Sequence, residues 1–341
     1  MDFGAWNFYD FHLASNLSIF SQLSVQKIQP WGGELKLNKE MKIRVPVRIK
    51  PGDTIGIAAP AGPFDRQTVL RGARIIGDMG FKIIIPPGLF EKNRYLAGAD
   101  KHRVQILNEM FADNSIDAII CARGGYGSMR ILPMLDYDAI KNNPKVFIGF
   151  SDITTLLSVL FTRCNLVTFH GPVVTSLVDA SEETKLSLFC NVTSKSNPEI
   201  KLSDGITISP GVSAGEVCGG NLTMLCHLVG TPYAPDFENK ILFLEDRGEV
   251  PYRIDRMLVH MELAGCFKGL SGIILGDFEE CGHIEEVIKI IVEFFEKYPV
   301  PILAGLDAGH GSHNLTIPLG IEATLDADRH SLIYHRAATT G

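Results

Sequence analysis

From Thr54 onward, short apolar runs alternate with stretches of helical pattern, and this alternation limits the possible folds more than any other feature. Fully apolar runs too short to be helices are typical of parallel strands that helices cover on both faces. Four such runs occur in the first half of the chain: Thr54–Ala59, Phe81–Ile85, Ile116–Cys121 and Lys145–Phe150. The pattern therefore predicts an α/β fold built on a parallel sheet.

The alternation stops between residues 180 and 215, where the chain is polar and rich in turn residues. Strand and helix patterns return beyond it, and the tail over 317–335 alternates as antiparallel strands do. A length of 341 residues also suits two domains. We therefore expect four parts: an appendage (or the product of a misplaced start codon) over 1–40, a nucleophile domain over 41–180, a linker over 181–212 and a C-terminal domain over 213–341.

Composition excludes several functional classes. A net charge of −7 and a pI near 5.8 argue against a nucleic-acid binder, which needs a basic face to neutralise phosphates. We expect no membrane attachment, because no apolar run reaches eighteen residues. Seven scattered cysteines without a CxxC pair, and an N-terminus unlike a signal peptide, favour a reducing compartment. We therefore predict a cytoplasmic protein whose cysteines are mostly buried small apolar side chains.

Ser151 lies between the apolar run KVFIGF and a helical pattern. A serine on a tight strand-to-helix turn exposes its hydroxyl, and the amides that follow it point toward a bound oxyanion. The segment G-F-S-D-I has the first glycine of the nucleophile elbow but carries Ile153 in place of the second. Local sequence alone supports a simple helix N-cap at least as well as a nucleophile.

A glycine-rich segment, Arg123-Gly-Gly-Tyr-Gly127, follows the apolar run that ends at Cys121. Three glycines in four positions allow positive φ angles and close backbone approach, which suit an oxyanion hole or a phosphate cradle. The segment matches neither the dinucleotide fingerprint nor the P-loop. A tight turn into a helix explains it equally well.

Acidic and basic candidates follow two later strand patterns. Glu245 and Asp246 end the run ILFL, and His310 lies between glycines beyond the run at 301–303. Ser151, Glu245 and His310 then occur in the order nucleophile, acid, histidine that α/β-hydrolases use. A metal site formed by Asp307, His310 and His313 is disfavoured, because no dense ligand spacing supports it. We predict no metal and no cofactor.

Together these segments resemble the LD-carboxypeptidase family of serine peptidases, which includes microcin-immunity hydrolases. The resemblance spans Pro51 to the C-terminus and excludes residues 1–40. It rests on ordered motifs: Ala58-Ala-Pro-Ala-Gly62, Arg123-Gly-Gly-Tyr-Gly127, Gly149-Phe-Ser-Asp152, Phe169-His-Gly-Pro172, Gly219-Gly-Asn-Leu222, Leu244-Glu-Asp246 and Gly305-Leu-Asp-Ala-Gly-His310.

The resemblance implies a role for each catalytic position. Ser151 would be the nucleophile, His310 the general base and Glu245 its acidic partner, with an oxyanion hole that we place at the amides of Gly124, Gly125 and Asp152. It also implies a Rossmann-like N-terminal domain, a smaller β-rich α/β C-terminal domain and a homodimer. The implied substrate is a cell-wall muropeptide tetrapeptide, from which the enzyme releases the terminal D-alanine across an L,D-peptide bond.

Recognition of the substrate's terminal carboxylate needs a cation or backbone donors. By position we name Arg123, Tyr126 and Arg253 as substrate-binding residues, with Arg130 and Arg256 as further cations. Surface ion pairing is the stronger expectation for at least one of Arg253 and Arg256.

Two alternatives remain open from the sequence. A microcin-immunity type amidase would share the triad and cleave a peptide-nucleotide antibiotic. A non-catalytic ligand-binding protein on the same scaffold is disfavoured, because all three triad positions are present. A nicotinamide-dependent oxidoreductase is less favoured still, because the dinucleotide fingerprint is missing.

Overall fold

The computed structural model describes residues 43–341, so the predicted appendage over 1–40 lies outside the described residues. The strands of the described part are, in chain order, β1 (Thr54–Ala58), β2 (Lys82–Ile84), β3 (Ala118–Cys121), β4 (Val146–Gly149), β5 (Thr168–His170), β6 (Glu199–Lys201), β7 (Ile206–Ser209), β8 (Val212–Asn221), β9 (Lys240–Arg247), β10 (Gly272–Glu279), β11 (Ile302–Ala304), β12 (Ile317–Leu319), β13 (Glu322–Asp326) and β14 (Ser331–Tyr334).

The α-helices alternate with the strands, as the sequence pattern predicts. In chain order they are α1 (Arg66–Asp78), α2 (Asp100–Ala112), α3 (Tyr137–Asn142), α4 (Thr154–Cys164), α5 (Glu182–Thr193), α6 (Leu222–Leu228), α7 (Pro251–Leu263) and α8 (Ile284–Phe295). The Asp65 carboxylate accepts a hydrogen bond from the Thr68 amide at 2.8 Å. It thereby satisfies one of the free amides at the start of α1, where an aspartate is a favoured cap.

The first sheet has the strand order β12-β5-β4-β3-β1-β2. Strands β1 to β5 are parallel to one another, β12 pairs antiparallel with β5, and every residue of β3 and β4 is buried. Burial of every residue explains why these strands are continuous apolar runs instead of alternating patterns. The predicted parallel-sheet domain is confirmed.

The second sheet has the order β6-β14-β13-β8-β9-β10-β11-β7. Its centre, β8 to β11, is parallel, and the strands on both sides are antiparallel. The alternating tail predicted over 317–335 forms β12, β13 and β14, all antiparallel to their partners. The α/β fold class, with a second β-rich part, is therefore confirmed.

The segment predicted as a linker, 181–212, contains regular structure throughout much of its length. Ser181 caps α5 by accepting a hydrogen bond from Thr184 N at 3.1 Å, and Glu182 and Glu183 occupy the first turn, where carboxylates are favoured. Strand β6 pairs with β14, and β7 pairs with β11. The polar composition therefore reflects a helix with little buried surface and two edge strands. The domain boundaries themselves stay a prediction.

Most of the cysteines are buried, as the sequence predicts. All seven are free thiols, and Cys121, Cys164, Cys218 and Cys281 are buried. Within residues 43–341, no helix combines the length and apolar character needed to cross a bilayer.

Candidate active site

Ser151 occupies the turn between β4 and α4 with φ +63°, in the left-handed region. A non-glycine residue there carries a cost of roughly 1 kcal/mol or more, and such strain clusters at functional sites. A side chain at Gly149 would place its Cβ 2.6 Å from Cγ2 of Ile153, which is fully buried. Ile153 therefore fills the space that a side chain at the first glycine would need.

The glycine-rich segment runs directly against Ser151. A Cβ added at Gly124 would lie 2.8 Å from Ser151 Cβ and 2.9 Å from its Oγ. The Gly124 carbonyl accepts a hydrogen bond from Gly62 N at 3.1 Å, and Gly125 has φ +104°. Within the described residues, neither the Gly124 nor the Gly125 amide donates to a protein acceptor. Only glycine at position 124 allows this approach of the two backbones.

His310 and Glu245 form a close pair. The Nδ1 atom of His310 lies 2.7 Å from Oε2 of Glu245, whose side chain is fully buried at the end of β9. Gly309 has φ +130°, and a Cβ on it would lie 2.8 Å from the same Oε2. The ring of Phe150, the residue before Ser151, packs on the His310 ring with centroids 4.8 Å apart.

Asp246 has a different environment from its neighbour Glu245. Its carboxylate accepts hydrogen bonds from Asn221 Nδ2, from the amide and hydroxyl of Thr223, and from Arg247 N. Burial raises the pKa of Asp246 to about 6, and the nearby Glu245 charge adds to the rise, whereas the hydrogen bonds from Thr223 and Arg247 oppose it. Asp246 therefore fixes the start of α6 to the end of β9, and Glu245 is the carboxylate that meets a histidine.

Two buried polar residues near the pair were not singled out from the sequence. His170 is fully buried between the rings of Phe150 and Phe243, and burial lowers its pKa to about 4. Asn314 accepts a hydrogen bond from Gly309 N at 3.1 Å through its Oδ1. The Phe169-His-Gly-Pro172 motif was a signal for His170, but no sequence signal marked Asn314.

The sequence analysis predicts that the backbone amide of Asp152 belongs to the oxyanion hole. The side chain of Asp152 contacts Ser128. Its carboxylate accepts a hydrogen bond from Ser128 N at 2.8 Å, and its carbonyl accepts one from Ser128 Oγ at 2.6 Å. Burial raises the pKa of Asp152, and the hydrogen bonds from Ser128 oppose that rise. Asp152 thus joins the Ser151 turn to the end of the glycine-rich segment.

The candidate substrate-binding residues lie in different places. Arg123 is exposed and donates to the Pro63 carbonyl at 2.6 Å, and Tyr126 packs edge-on against Tyr95 with centroids 5.6 Å apart. Arg253 lies on α7 and pairs with Glu249 at 3.4 Å, the surface ion pair that was the stronger expectation for this helix.

A cavity of about 610 Å³ opens beside the His310 loop. Asp277 belongs to its wall and accepts a hydrogen bond from Gly311 N at 3.3 Å. Burial raises the pKa of Asp277 to about 6, and the charges of Asp307 and Glu245 add to the rise. The remaining wall is mixed, with the acidic Glu279 among isoleucine side chains.

The residues weighed as metal ligands do not converge. His310 contacts Glu245, whereas His313 Nδ1 lies 3.0 Å from Ser181 Oγ. In the part of the chain that the structure describes, no three histidine, cysteine, aspartate or glutamate side chains form a group able to hold a metal ion.

A strained serine after a parallel strand, glycines against it and a histidine paired with a buried carboxylate are the features of α/β serine hydrolases. Family models agree with that class and identify one family within it. The model of the LD-carboxypeptidase N-terminal domain matches residues 55–171, and that of the C-terminal domain matches residues 214–325. The chain belongs to the LD-carboxypeptidase family and is a serine carboxypeptidase.

This chain matches individual relatives over almost the whole length of each relative. A probable murein peptide carboxypeptidase of Bacillus subtilis is 34% identical over 307 residues, which are 87% of this chain and 96% of the relative. The solved structure of the microcin self-immunity protein MccF superposes with a TM-score of 0.81 at 27% identity, covering 87% and 100%. A muramoyltetrapeptide carboxypeptidase from Oxalobacter formigenes gives a TM-score of 0.73 at 27% identity, covering 82% and 97%.

Proposed function

We propose that this enzyme hydrolyses the L,D-peptide bond before the terminal D-alanine of cell-wall tetrapeptides, using Ser151, His310 and Glu245. The observation that carries the proposal is the 2.7 Å pair of His310 Nδ1 and Glu245 Oε2. With Nδ1 bound to the carboxylate, the imidazole keeps Nε2 free to accept a proton. The Phe150 ring against His310 supports placing that nitrogen toward the Ser151 turn.

In the proposed reaction, His310 takes the Ser151 hydroxyl proton as Oγ attacks the scissile carbonyl carbon. The oxyanion accepts hydrogen bonds from the amides of Gly124, Gly125 and Asp152, and losing one such donor typically costs about a hundredfold or more in rate. His310 then gives its proton to the leaving amine of D-alanine. Water activated by His310 hydrolyses the acyl-enzyme and restores the serine.

Carboxylate recognition is proposed for Arg123, Tyr126 and Arg253. The Gly124 contact with Ser151 supports a nearby location for Arg123 and Tyr126, which flank that glycine pair. Arg253 has less support, because its guanidinium already pairs with Glu249.

The test is mass spectrometry of a tetrapeptide digest, which should show loss of the terminal D-alanine. Ser151→Ala should abolish that loss and keep the wild-type melting temperature, whereas Ser158→Ala on α4 should keep full activity. Hydrolysis by the Ser151→Ala protein would refute the catalytic assignment, and an inactive wild-type enzyme would refute the substrate.

A second candidate is an amidase that cleaves a peptide-nucleotide antibiotic. The observation that favours it is the TM-score of 0.81 to the microcin self-immunity protein, above the 0.73 of the muramoyltetrapeptide carboxypeptidase. Measuring kcat/KM for an aminoacyl nucleotide and a tetrapeptide in parallel separates the two functions. A higher value for the nucleotide would replace the first proposal.

We also propose that the protein is a cytoplasmic homodimer. Light scattering during size-exclusion chromatography should give twice the chain mass of 37.4 kDa. A monomer mass at micromolar concentration would contradict the dimer, and recovery in a membrane or secreted fraction would contradict the location.

A further inference from the structure

One peptide unit of the glycine-rich loop is held from both sides by buried charged groups. On one side, Arg103 Nη1 donates to the Gly127 carbonyl at 2.9 Å. On the other, the Asp152 carboxylate accepts from the Ser128 amide at 2.8 Å. The exposed fractions of Arg103 and Asp152 are 2% and 3%, so both contacts are shielded from water. The carbonyl and the amide of a single peptide plane therefore each have a charged partner.

The Arg103 guanidinium is itself held in place. It lies on α2, where its Nη2 atom contacts the Asp100 carboxylate at 2.5 Å, and its Nη1 atom also donates to the Pro60 carbonyl. Asp100 accepts further hydrogen bonds from Arg130, and the two arginines lower the pKa of Asp100 to about 2. Arg103 therefore joins the Pro60 loop to the glycine-rich loop.

The other side of the peptide is joined to the nucleophile turn. Asp152 directly follows Ser151, and its main-chain carbonyl accepts a second hydrogen bond from the Ser128 hydroxyl. The Ser128 hydroxyl also contacts that of Thr155 at the start of α4. The orientation of the Gly127–Ser128 peptide is thus coupled to the backbone that carries Ser151.

The alternative orientation of this peptide is strongly disfavoured. Turning the plane by half a rotation would point the Gly127 carbonyl at the Asp152 carboxylate and the Ser128 amide at the Arg103 guanidinium. Two favourable charge-assisted hydrogen bonds would become two repulsive contacts in a buried site, where such contacts cost most. Gly127 has φ +133°, and a Cβ there would lie 2.9 Å from Arg103 Nη1. Only glycine fits this backbone and this contact.

We propose that Arg103 and Asp152 are positioning residues, which together hold the Gly127–Ser128 peptide and thereby keep the amides of Gly124 and Gly125 aimed at the Ser151 oxyanion. The proposal deepens the proposed function, since it rests on Ser151 as nucleophile. It does not depend on the tetrapeptide as substrate. The pair acts on the transition state through the backbone, so neither side chain needs to touch the substrate.

The experiment measures how fast Ser151 reacts with a fluorophosphonate, a reaction that needs the nucleophile and the oxyanion hole but no tetrapeptide recognition. Arg103→Met should lower the second-order rate constant about a hundredfold, the usual effect of losing an oxyanion donor. Arg103→Lys keeps one donor for the Gly127 carbonyl and should recover part of that loss. Arg329→Met, a matched change at an exposed arginine, should leave the rate unchanged.

The pairing of the two residues is tested by a double-mutant cycle with Arg103→Lys, which keeps the positive charge, and Asp152→Asn, which keeps the side-chain shape. Because one peptide serves both partners, the combined loss should be clearly smaller than the product of the single losses. On whichever substrate the wild type cleaves, kcat should fall while KM stays within about twofold, as for an interaction made only in the transition state.

Three results would overturn the proposal: an unchanged fluorophosphonate rate in folded Arg103→Met and Arg103→Lys, multiplicative losses in the cycle, or a loss confined to KM. Failure of the proposed function gives a different result. A wild-type enzyme that reacts with the fluorophosphonate and ignores tetrapeptides removes the substrate assignment alone. A wild type whose Ser151 does not react removes both.

Discussion

Ser151 and Gly124 meet at a distance that leaves no room for a methyl group. Ser151 has a strained φ of +63°, and its side chain lies against the glycine-rich loop. There is room for it because Gly124 has no side chain. A displacement of about 1 Å between reacting groups can cost a hundredfold in rate. We therefore expect activity at this site to be sensitive to the addition of a single heavy atom.

Gly124→Ala tests this contact. The new Cβ would lie 2.8 Å from Ser151 Cβ, so one backbone must move, and we expect kcat to fall about 10- to 100-fold. The matched control is Gly77→Ala on α1, whose Cβ would meet nothing within 4 Å. That change should keep activity and stabilise the protein by about 0.5–1 kcal/mol. Equal kinetics in the two variants would contradict the close contact.

His170 makes stability depend on pH. Its pKa is about 4 in the folded protein and 6.5 for an unburied histidine, so between these values the unfolded chain binds a proton that the folded protein excludes. The free energy of unfolding therefore falls as pH is lowered from 6.5 to 4, by about 3 kcal/mol from this residue.

His170→Phe should remove that part of the pH dependence. Urea unfolding at pH 7, 6, 5 and 4 should show a smaller decrease in the free energy of unfolding with falling pH than in the wild type. Asp246 titrates near pH 6 with the opposite sign, but it is common to both proteins and cancels in the comparison. His227→Gln at an exposed position is the control. A His170→Phe curve parallel to the wild-type curve would disprove the effect.

At the scale of elements, helix α5 supports the loop that carries His310. Thr184 Oγ1 accepts from Asn314 N, and Ser187 Oγ accepts from Thr316 N, both at 3.0 Å. Asn314 in turn binds Gly309 N, next to His310. Helix α5 is therefore linked through Asn314 to Gly309, the residue before His310. This link comes from the polar segment that the sequence suggested as a linker.

Thr184→Val tests this support. It leaves the buried Asn314 amide without an acceptor, which costs about 1–3 kcal/mol. We expect a lower melting temperature and a lower kcat, because the His310 loop loses an anchor. Thr193→Val on the same helix removes only a hydrogen bond to the Phe189 carbonyl one turn earlier and should cost much less. Equal losses from the two substitutions would show that α5 has no special link to the loop.

At the scale of the whole molecule, the two sheets are joined by the order of strands along the chain. Strand β12 comes from the C-terminal third of the sequence, yet it pairs with β5 at the edge of the first sheet. The next strand, β13, pairs with β8 in the second sheet. The C-terminal segment therefore contributes one strand to each sheet and joins the two halves that separate family models match. We expect residues 43–341 to unfold together.

Scanning calorimetry of the wild type should show one transition with equal calorimetric and van't Hoff enthalpies. Ile317→Ala removes a fully buried side chain at the position paired with His170. It should lower the free energy of unfolding of residues 43–341 as a whole by about 2–5 kcal/mol. Ile333→Ala, at a half-exposed position on β14, should cost less. Two separate transitions, with Ile317→Ala shifting only one, would show that the halves unfold independently.

The amino-acid sequence alone determined the α/β class, the parallel sheet and the order of Ser151, Glu245 and His310. Apolar periodicity and glycine positions are local properties, so they are visible along the chain. The same is true of the family motifs, which predicted where the acid and the histidine follow their strands. Local sequence did not separate Ser151 as nucleophile from Ser151 as helix cap, because both need the same residue at the same turn. The family resemblance is what favoured the nucleophile.

Only the tertiary structure decided the geometry of the Glu245–His310 pair, whose members the family motifs predicted, and that Ile153 fills the space beside Gly149. It also decided that β12 joins the first sheet, that α5 anchors the His310 loop, and that Arg103 and Asp152 hold one peptide between them. Each of these depends on contacts between residues far apart in the chain, such as the 65 positions between Glu245 and His310. Packing selects such contacts from many that local sequence allows, and so they carry no signature in the order of residues.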